Sequence, residues 1–415
     1  MTVQQEIQEL LKGRPKKFIY LDHAATTYVD SRVYEAMQPF FQVEFGNPGG
    51  FYELGKRAAD AMQAARETVA GVLGCRAEEI IFTGSGTESD NMAVLGVARK
   101  RAKEGKHVII SAIEHHAVER PAEQLEKEGF EVTKVPVDKF GRIRVEDVKA
   151  ALRDDTVLVS IMYANNEIGT IQPIYEIGTL LKDHKALFHT DACQAAGALD
   201  LNVEKLGVDL MTLNGSKIYG PKGVGVLYIR KGVEIQPLVF GGGQERGKRS
   251  GTENVANIVG MAKALSIAQA ESETENARLK ELRDKLIDGL TKIPKTILNG
   301  HPELRLPNNV NVSILDIEGE AFTLFLNEMG IYASTGSACT STSLDPSHVI
   351  LATGLPYECA HGSVRFSLGR KTTEEEIDYV LEVVPRVVSI LRKISPLNLD
   401  ADKVREKGQG DLKYI

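Results

Sequence analysis

From about residue 79 to 230 the chain alternates short apolar runs with longer amphipathic ones, and this alternation limits its fold more than any other feature. "EIIFT" (79–83), "HVIISA" (107–112), "VLVSIMYA" (157–164) and "ALFHTDA" (186–192) have the length and β-branched content of strands. "SDNMAVLGVARKRAKEG" (89–105), "VERPAEQLEKEG" (118–129) and "YEIGTLLKDH" (175–184) read as helices between them. Strands joined by such helical connections predict an α/β fold with a mainly parallel, doubly wound sheet. "GVGVLYIRKG" (223–232) is expected to add an antiparallel strand.

A charged helical pattern over roughly 253–292 then changes the character of the chain, and shorter strands such as "NVNVSIL" (309–315) and a helix near 373–392 follow. The expected division is a large domain over 18–265 and a smaller α+β domain over 266–395. The segment 1–17 is expected to pack on the smaller domain, and 396–415 to form a loosely held tail. With 415 residues there is enough chain for both cores.

Composition removes several classes of function. A formal net charge of −7 argues against a nucleic-acid binder, which needs a basic surface. No stretch approaches the roughly 20 apolar residues of a membrane span. The opening "MTVQQEIQELLKGRPKK" lacks the apolar centre of a signal peptide. Cys75, Cys193, Cys339 and Cys359 are scattered, with neither a CxxC pair nor zinc-type spacing. The expectation is free thiols in a reducing cytoplasm and no metal site.

In a doubly wound sheet, ligands sit outside the carboxyl ends of the strands, and three chemically loaded spots fall there. "FTGSGTESDN" (82–91) is a strand, a Gly/Ser/Thr turn and a helix start, where free N–H groups and the helix dipole favour a phosphate. The same turn is also explained as a tight connection capped by Thr87. Asp191 follows the strand "ALFHT" and has a second explanation as a helix cap. Lys217, in "TLNGSKIYGPKGVG" (212–225), has one as a solvated turn lysine. Together they are the parts a pyridoxal phosphate (PLP) enzyme needs: a phosphate cradle, an acid to keep the pyridine nitrogen protonated, and a lysine for the Schiff base. A dinucleotide site fits less well, because no GxGxxG follows a strand near the N-terminus.

With "IYLDHAATT" (19–27), "YANNEIGTIQ", "GGGQERGKRSGTEN" and "STGSACTS", the chain resembles the cysteine desulfurases, PLP-dependent enzymes of the aspartate-aminotransferase fold type (fold type I). It is most similar to the group serving iron–sulfur cluster assembly, and the resemblance runs to "IDYVLEVV" (377–384). It implies that Lys217 bonds the cofactor, Asp191 pairs with the pyridine nitrogen, Gln194 bonds the ring oxygen and His115 stacks on the ring. It further implies that Gly86 and Thr87 hold the phosphate, with Asn214 and Ser216 beside them, and that Asn166 lies near ring and substrate. Arg365 matches the arginine that clamps the substrate carboxylate, Asn47 is a second candidate for that carboxylate, and His116 is left as surface. Thr252 matches a threonine reaching the phosphate of the partner subunit, which implies a homodimer.

By the same resemblance Cys339, in "STGSACTSTSLDPSHV" (334–349), is the nucleophile. Small polar residues and Pro346 around it read as a mobile loop. A thiolate there would take sulfur from L-cysteine, leave L-alanine and pass the sulfur to an acceptor such as a cluster scaffold protein. Cys75, Cys193 and Cys359 read as bystanders in packed elements. The chain departs from the family's pattern at Ser216, where a His is usual, at Gly49, Gly50 and Tyr52 after "NP", and at Gly86, where Ala is common. An aminotransferase, a selenocysteine lyase and a non-catalytic sulfur carrier are the rival readings.

Overall fold

The computed structural model describes residues 2–12, 18–336, 346–396, 399 and 404. Cys339 lies outside the described residues, as does most of the expected tail. The central sheet is formed by β1 (Ile80–Thr83), β2 (His107–Ser111), β3 (Glu131–Val135), β4 (Thr156–Ser160), β5 (Leu187–Asp191), β6 (Leu210–Asn214) and β7 (Gly225–Ile229). Their order is β1-β7-β6-β5-β4-β2-β3, a seven-stranded sheet among the described residues. β3, β2, β4, β5 and β6 run parallel, and β7 is antiparallel to both β6 and β1, as the sequence predicts for 223–232.

β1, β2, β4 and β7 are buried at every position because helices cover both faces. The covering helices include α1 (Glu53–Leu73), α2 (Gly86–Lys100) and α3 (His116–Lys127). α1 buries an Ala/Met/Val/Leu stripe and ends where Gly74 adopts φ 69°, a left-handed stop that suits glycine. The strand–helix alternation did not reveal α1, since its buried stripe is largely alanine. α2 is capped by Ser85, whose hydroxyl accepts from Glu88 N at 3.1 Å. The cap is therefore Ser85, and Thr87, named as cap from the sequence, already lies within the first turn.

A single helix, α4 (Val255–Thr291), contributes to two cores. Its first half packs Val255, Met261 and Leu265 into the core under the large sheet. Its second half packs Leu279, Leu286 and Leu290 against a second core containing Leu10, Val312, Phe322, Phe366 and Val384. The boundary drawn at 265/266 thus falls inside one continuous helix. The second core covers a small sheet of β8 (Thr296–Leu298), β9 (Asn309–Ile314) and β10 (Ser363–Ser367), in the antiparallel order β10-β9-β8. Leu10, in the N-terminal helix Val3–Lys12, joins this core.

Candidate active site

The ends of the parallel strands open onto a cavity of ≈ 200 Å³. Gly86, Thr87, His115, Asn166, Asp191, Gln194, Asn214, Lys217 and Arg365 all line it, together with Asp90, Met162 and Cys193. Each side chain arrives by a short step from a strand or helix end. His115 follows β2 and caps α3, its Nδ1 accepting from Ala117 N at 3.1 Å. Asp191 is the last residue of β5, and its Oδ1 accepts from Cys193 N at 2.9 Å. Lys217 sits in the turn after β6, where Asn214 Oδ1 accepts from Ser216 N at 3.2 Å.

Two backbone carbonyls of "LDHAATT" organise the lysine side. Lys217 Nζ donates to Ala24 O at 3.0 Å and Ala25 O at 2.6 Å, and Gln194 Nε2 donates to the same Ala24 O at 3.0 Å. Arg365, in the middle of β10, is fully buried; its Nη1 donates to Asn166 O at 2.9 Å and its Nη2 to Asp22 Oδ1 at 2.8 Å. Asp22 was missed from the sequence although its motif was noted, because nothing local links residue 22 to residue 365.

Three carboxyls gather at the floor. Asp90 and Glu114 are both 1% exposed, next to Asp191. Burial pushes Asp90 well above the usual carboxyl range, with the Asp191 charge adding to it. Burial also raises Glu114, to about 8, against the bonds its Oε1 accepts from Ser111 Oγ and Met162 N. Between β4 and β6, His189 bonds Ser160 Oγ (2.8 Å) and Thr212 Oγ1 (3.1 Å), and burial lowers it to about 4, so it is neutral. Asp90 and Glu114 read in sequence as helix and loop acids; only their burial marks them.

Not every residue named from the sequence lines this cavity. Ser216 turns its hydroxyl to Asn214 Oδ1 at 3.2 Å. Asn47 and Thr252 together line another cavity, beside Phe41, Phe45 and Glu253. Of the cysteines expected to be bystanders, Cys193 reaches the cavity wall, yet burial, followed by the charges of Asp191 and Asp90, pushes its thiol well above the usual value. Cys75 is raised to about 12, mainly by burial, and Cys359 is fully buried.

These features fit PLP. The first turn of α2 presents backbone N–H groups that have no helical acceptor. A Cβ on Gly86 would come within 2.8 Å of Cys193 Sγ and 3.2 Å of Asn214 Cβ, so only glycine leaves this backbone in place without its neighbours shifting. Asp191 and Lys217 line the same cavity.

The aminotransferase class-V family model matches residues 19–380. The chain is 56% identical to cysteine desulfurase IscS of Methanosarcina thermophila over 92% of its own length and 94% of the relative's. It is 52% identical to cysteine desulfurase IscS of Dictyoglomus turgidum, over 92% and 97% respectively. Among solved structures, a NifS-like protein superposes with TM-score 0.85 at 41% identity, covering 90% of this chain and all of that one. SspA in complex with cysteine superposes with TM-score 0.75 at 37% identity, over 84% and 98%. A cavity fitted to PLP, on this sheet and with these relatives, has one family to belong to: the chain is a member of the class-V aminotransferases, in their cysteine desulfurase branch.

Proposed function

We propose that the protein is a cysteine desulfurase, releasing L-alanine from L-cysteine and passing the sulfur through Cys339 to an acceptor that serves iron–sulfur cluster assembly. The observation that carries this reading is the meeting of Lys217, Asp191, Arg365 and the Gly86–Thr87 helix start around one cavity. Cysteine as substrate is supported further by SspA, a relative described in complex with cysteine.

PLP, when bound, supplies a protonated ring that draws electrons from the substrate and acidifies its Cα–H. The chain's own residues have the remaining tasks. Asp191 holds the proton on the ring nitrogen, and Gln194 and His115 fix the ring. The N–H groups of Gly86 and Thr87 hold the phosphate. Arg365 and Asn166 orient the substrate carboxylate, a match suited to the planar guanidinium. Lys217 Nζ would take the proton from the substrate Cα as general base. The Cys339 thiolate attacks the substrate sulfur: an S–S bond forms, the Cβ–S bond breaks and its electron pair stays on the carbon skeleton, which is protonated to alanine.

The same reading makes the protein a homodimer with Thr252 reaching the partner subunit's phosphate. Phe41 (56% exposed) and Phe45 (66%) line the cavity that Asn47 and Thr252 share and leave apolar surface exposed there, which supports such an interface. The division into domains 18–265 and 266–395 is supported by the two separate cores. The cysteines are scattered along the chain, and Cys75 and Cys193 are free thiols, which supports a reducing, cytoplasmic setting. No described helix is long and apolar enough to cross a membrane. A scaffold protein for clusters is the acceptor this reading expects.

The test is L-alanine released from L-cysteine by the PLP-loaded protein, with and without a thiol reductant. Release that rises strongly with reductant, and that disappears in C339S, supports the reading. Release that C339S leaves intact, or no alanine under either condition, overturns it.

A further inference from the structure

Beginning with His116, next to His115 in the chain, three side chains with metal-binding atoms converge. His116 and Glu119 lie one turn apart at the start of α3, and His348 begins the short helix α5 (His348–Ala352). One ligand atom from each falls within 4.8 Å of the others, and all three side chains are half-buried. The rings of His116 and His348 face each other at 4.9 Å between centroids, tilted by 38°.

The hydrogen bonds already set these groups as ligands. His348 Nε2 lies 3.0 Å from the Glu114 carbonyl oxygen, so it must carry the proton and donate, which leaves the Nδ1 lone pair bare. A backbone carbonyl fixing the far nitrogen in this way is the usual support of a metal-binding histidine. His116 Nδ1 and Glu119 Oε2 stand 3.0 Å apart. That is close to the roughly 3.3 Å between two ligands of a tetrahedral zinc ion with bonds of about 2.0–2.1 Å. Glu119 Oε1 accepts from Lys134 Nζ at 2.8 Å, which orients the carboxylate and leaves Oε2 for a cation.

We propose that His116, Glu119 and His348 form a site for a borderline divalent cation of the zinc type, held by two imidazole nitrogens and one carboxylate oxygen. The cation takes the place of the proton between His116 Nδ1 and Glu119 Oε2, and that proton moves to His116 Nε2 or, from a doubly protonated ring, to solvent. Two nitrogens and one oxygen favour Zn²⁺ and its first-row neighbours over Mg²⁺ or Ca²⁺. Three protein ligands leave a coordination position open to water. The site ties the first turn of α3, directly after His115, to α5. No local pattern pointed to it, because His348 lies far downstream of the "EHHAVE" segment.

The experiment is equilibrium dialysis of the PLP-loaded C339S protein against Zn²⁺, in which the loop thiol cannot compete. The expected result is one Zn²⁺ per chain with affinity falling at least about tenfold, or 1.4 kcal/mol, in H116Q and again in H348Q. Both variants are to be compared with their parent by circular dichroism. Equal uptake by parent and folded variants, or none by the parent, overturns the proposal. X-ray absorption at the zinc edge of the parent needs no variant: a shell of two imidazoles and light-atom donors is expected. A sulfur shell, or one without imidazole, overturns the proposal as well. Neither readout depends on desulfurase activity.

Discussion

Arg365 and Asp22, 343 residues apart in the chain, are joined across the active cavity by a 2.8 Å bond from Nη2 to Oδ1. Nη1 is bound to the Asn166 carbonyl oxygen, and buried Nε has no protein acceptor. The guanidinium is thus held in one orientation, and a substrate carboxylate bound there, as proposed, would share it with Asp22. Lysine would keep the charge and lose the planar fork. R365K is expected to raise KM for L-cysteine about tenfold or more while leaving the PLP absorbance in place. Steady-state alanine release against substrate concentration measures it; an unchanged KM would remove Arg365 from substrate binding.

Gly86 and Cys193 are a second coupled pair. The Cβ of G86A would stand 2.8 Å from Cys193 Sγ, so either the sulfur or the first turn of α2 must move. The turn is where the phosphate is proposed to bind. G86A is expected to weaken PLP retention by about tenfold, and G86A/C193A to recover most of it, because the sulfur is gone. Dialysis of cofactor from each protein, followed by absorbance, decides the matter. A double variant as weak as G86A would show that the sulfur is not the obstacle.

Two buried groups should give stability opposite dependences on pH. Glu114 keeps its proton up to about pH 8 in the folded chain but loses it near its ordinary 4.5 when unfolded. The folded state then binds more protons, so stability declines as pH rises through that window. His189, lowered to about 4, stays neutral when folded while the unfolded chain protonates below about 6.5. Stability therefore declines as pH falls from about 6.5 towards 4. In scanning calorimetry E114Q should flatten the decline in Tm as pH rises from about 4.5 to 8, and H189Q part of the decline as pH falls below about 6.5. Tm curves parallel to the parent's would contradict both assignments.

Arg66 and Glu245 make a buried two-pronged pair, at 2.9 Å and 2.7 Å, that pins the "GGGQERGKRSG" segment to the edge of the sheet. Glu245 Oε2 also accepts from Phe82 N at 2.9 Å, and the guanidinium lies over the Phe82 ring at 4.8 Å. Removing the acid alone would strand a buried charge. E245A is expected to cost about 3–5 kcal/mol in urea unfolding, and a loss under 1 kcal/mol would show that the pair is solvated in solution.

Four strands between 79 and 192, the antiparallel strand near 225 and the long helix after 253 were legible, because periodicity and strand length are local properties of the chain, whereas β3 (Glu131–Val135) and β6 (Leu210–Asn214) were not named. Lys217, Asp191 and the Gly86–Thr87 turn were legible for the same reason: each ends a strand, and the parallel sheet brings strand ends together. The helix Glu53–Leu73 escaped because alanine gives little contrast between its faces. The cap of α2 was assigned two residues too late, since Ser85 and Thr87 are equally good caps by residue type.

What the sequence by itself determined is the sheet, the cofactor class and the chemistry to look for. Only the tertiary structure decided which acids become neutral, which arginine is held and by what, and that His116 meets His348. Those outcomes rest on burial and on contacts between residues far apart in the chain. Desolvation depends on the whole surrounding volume, which no local pattern of residues encodes.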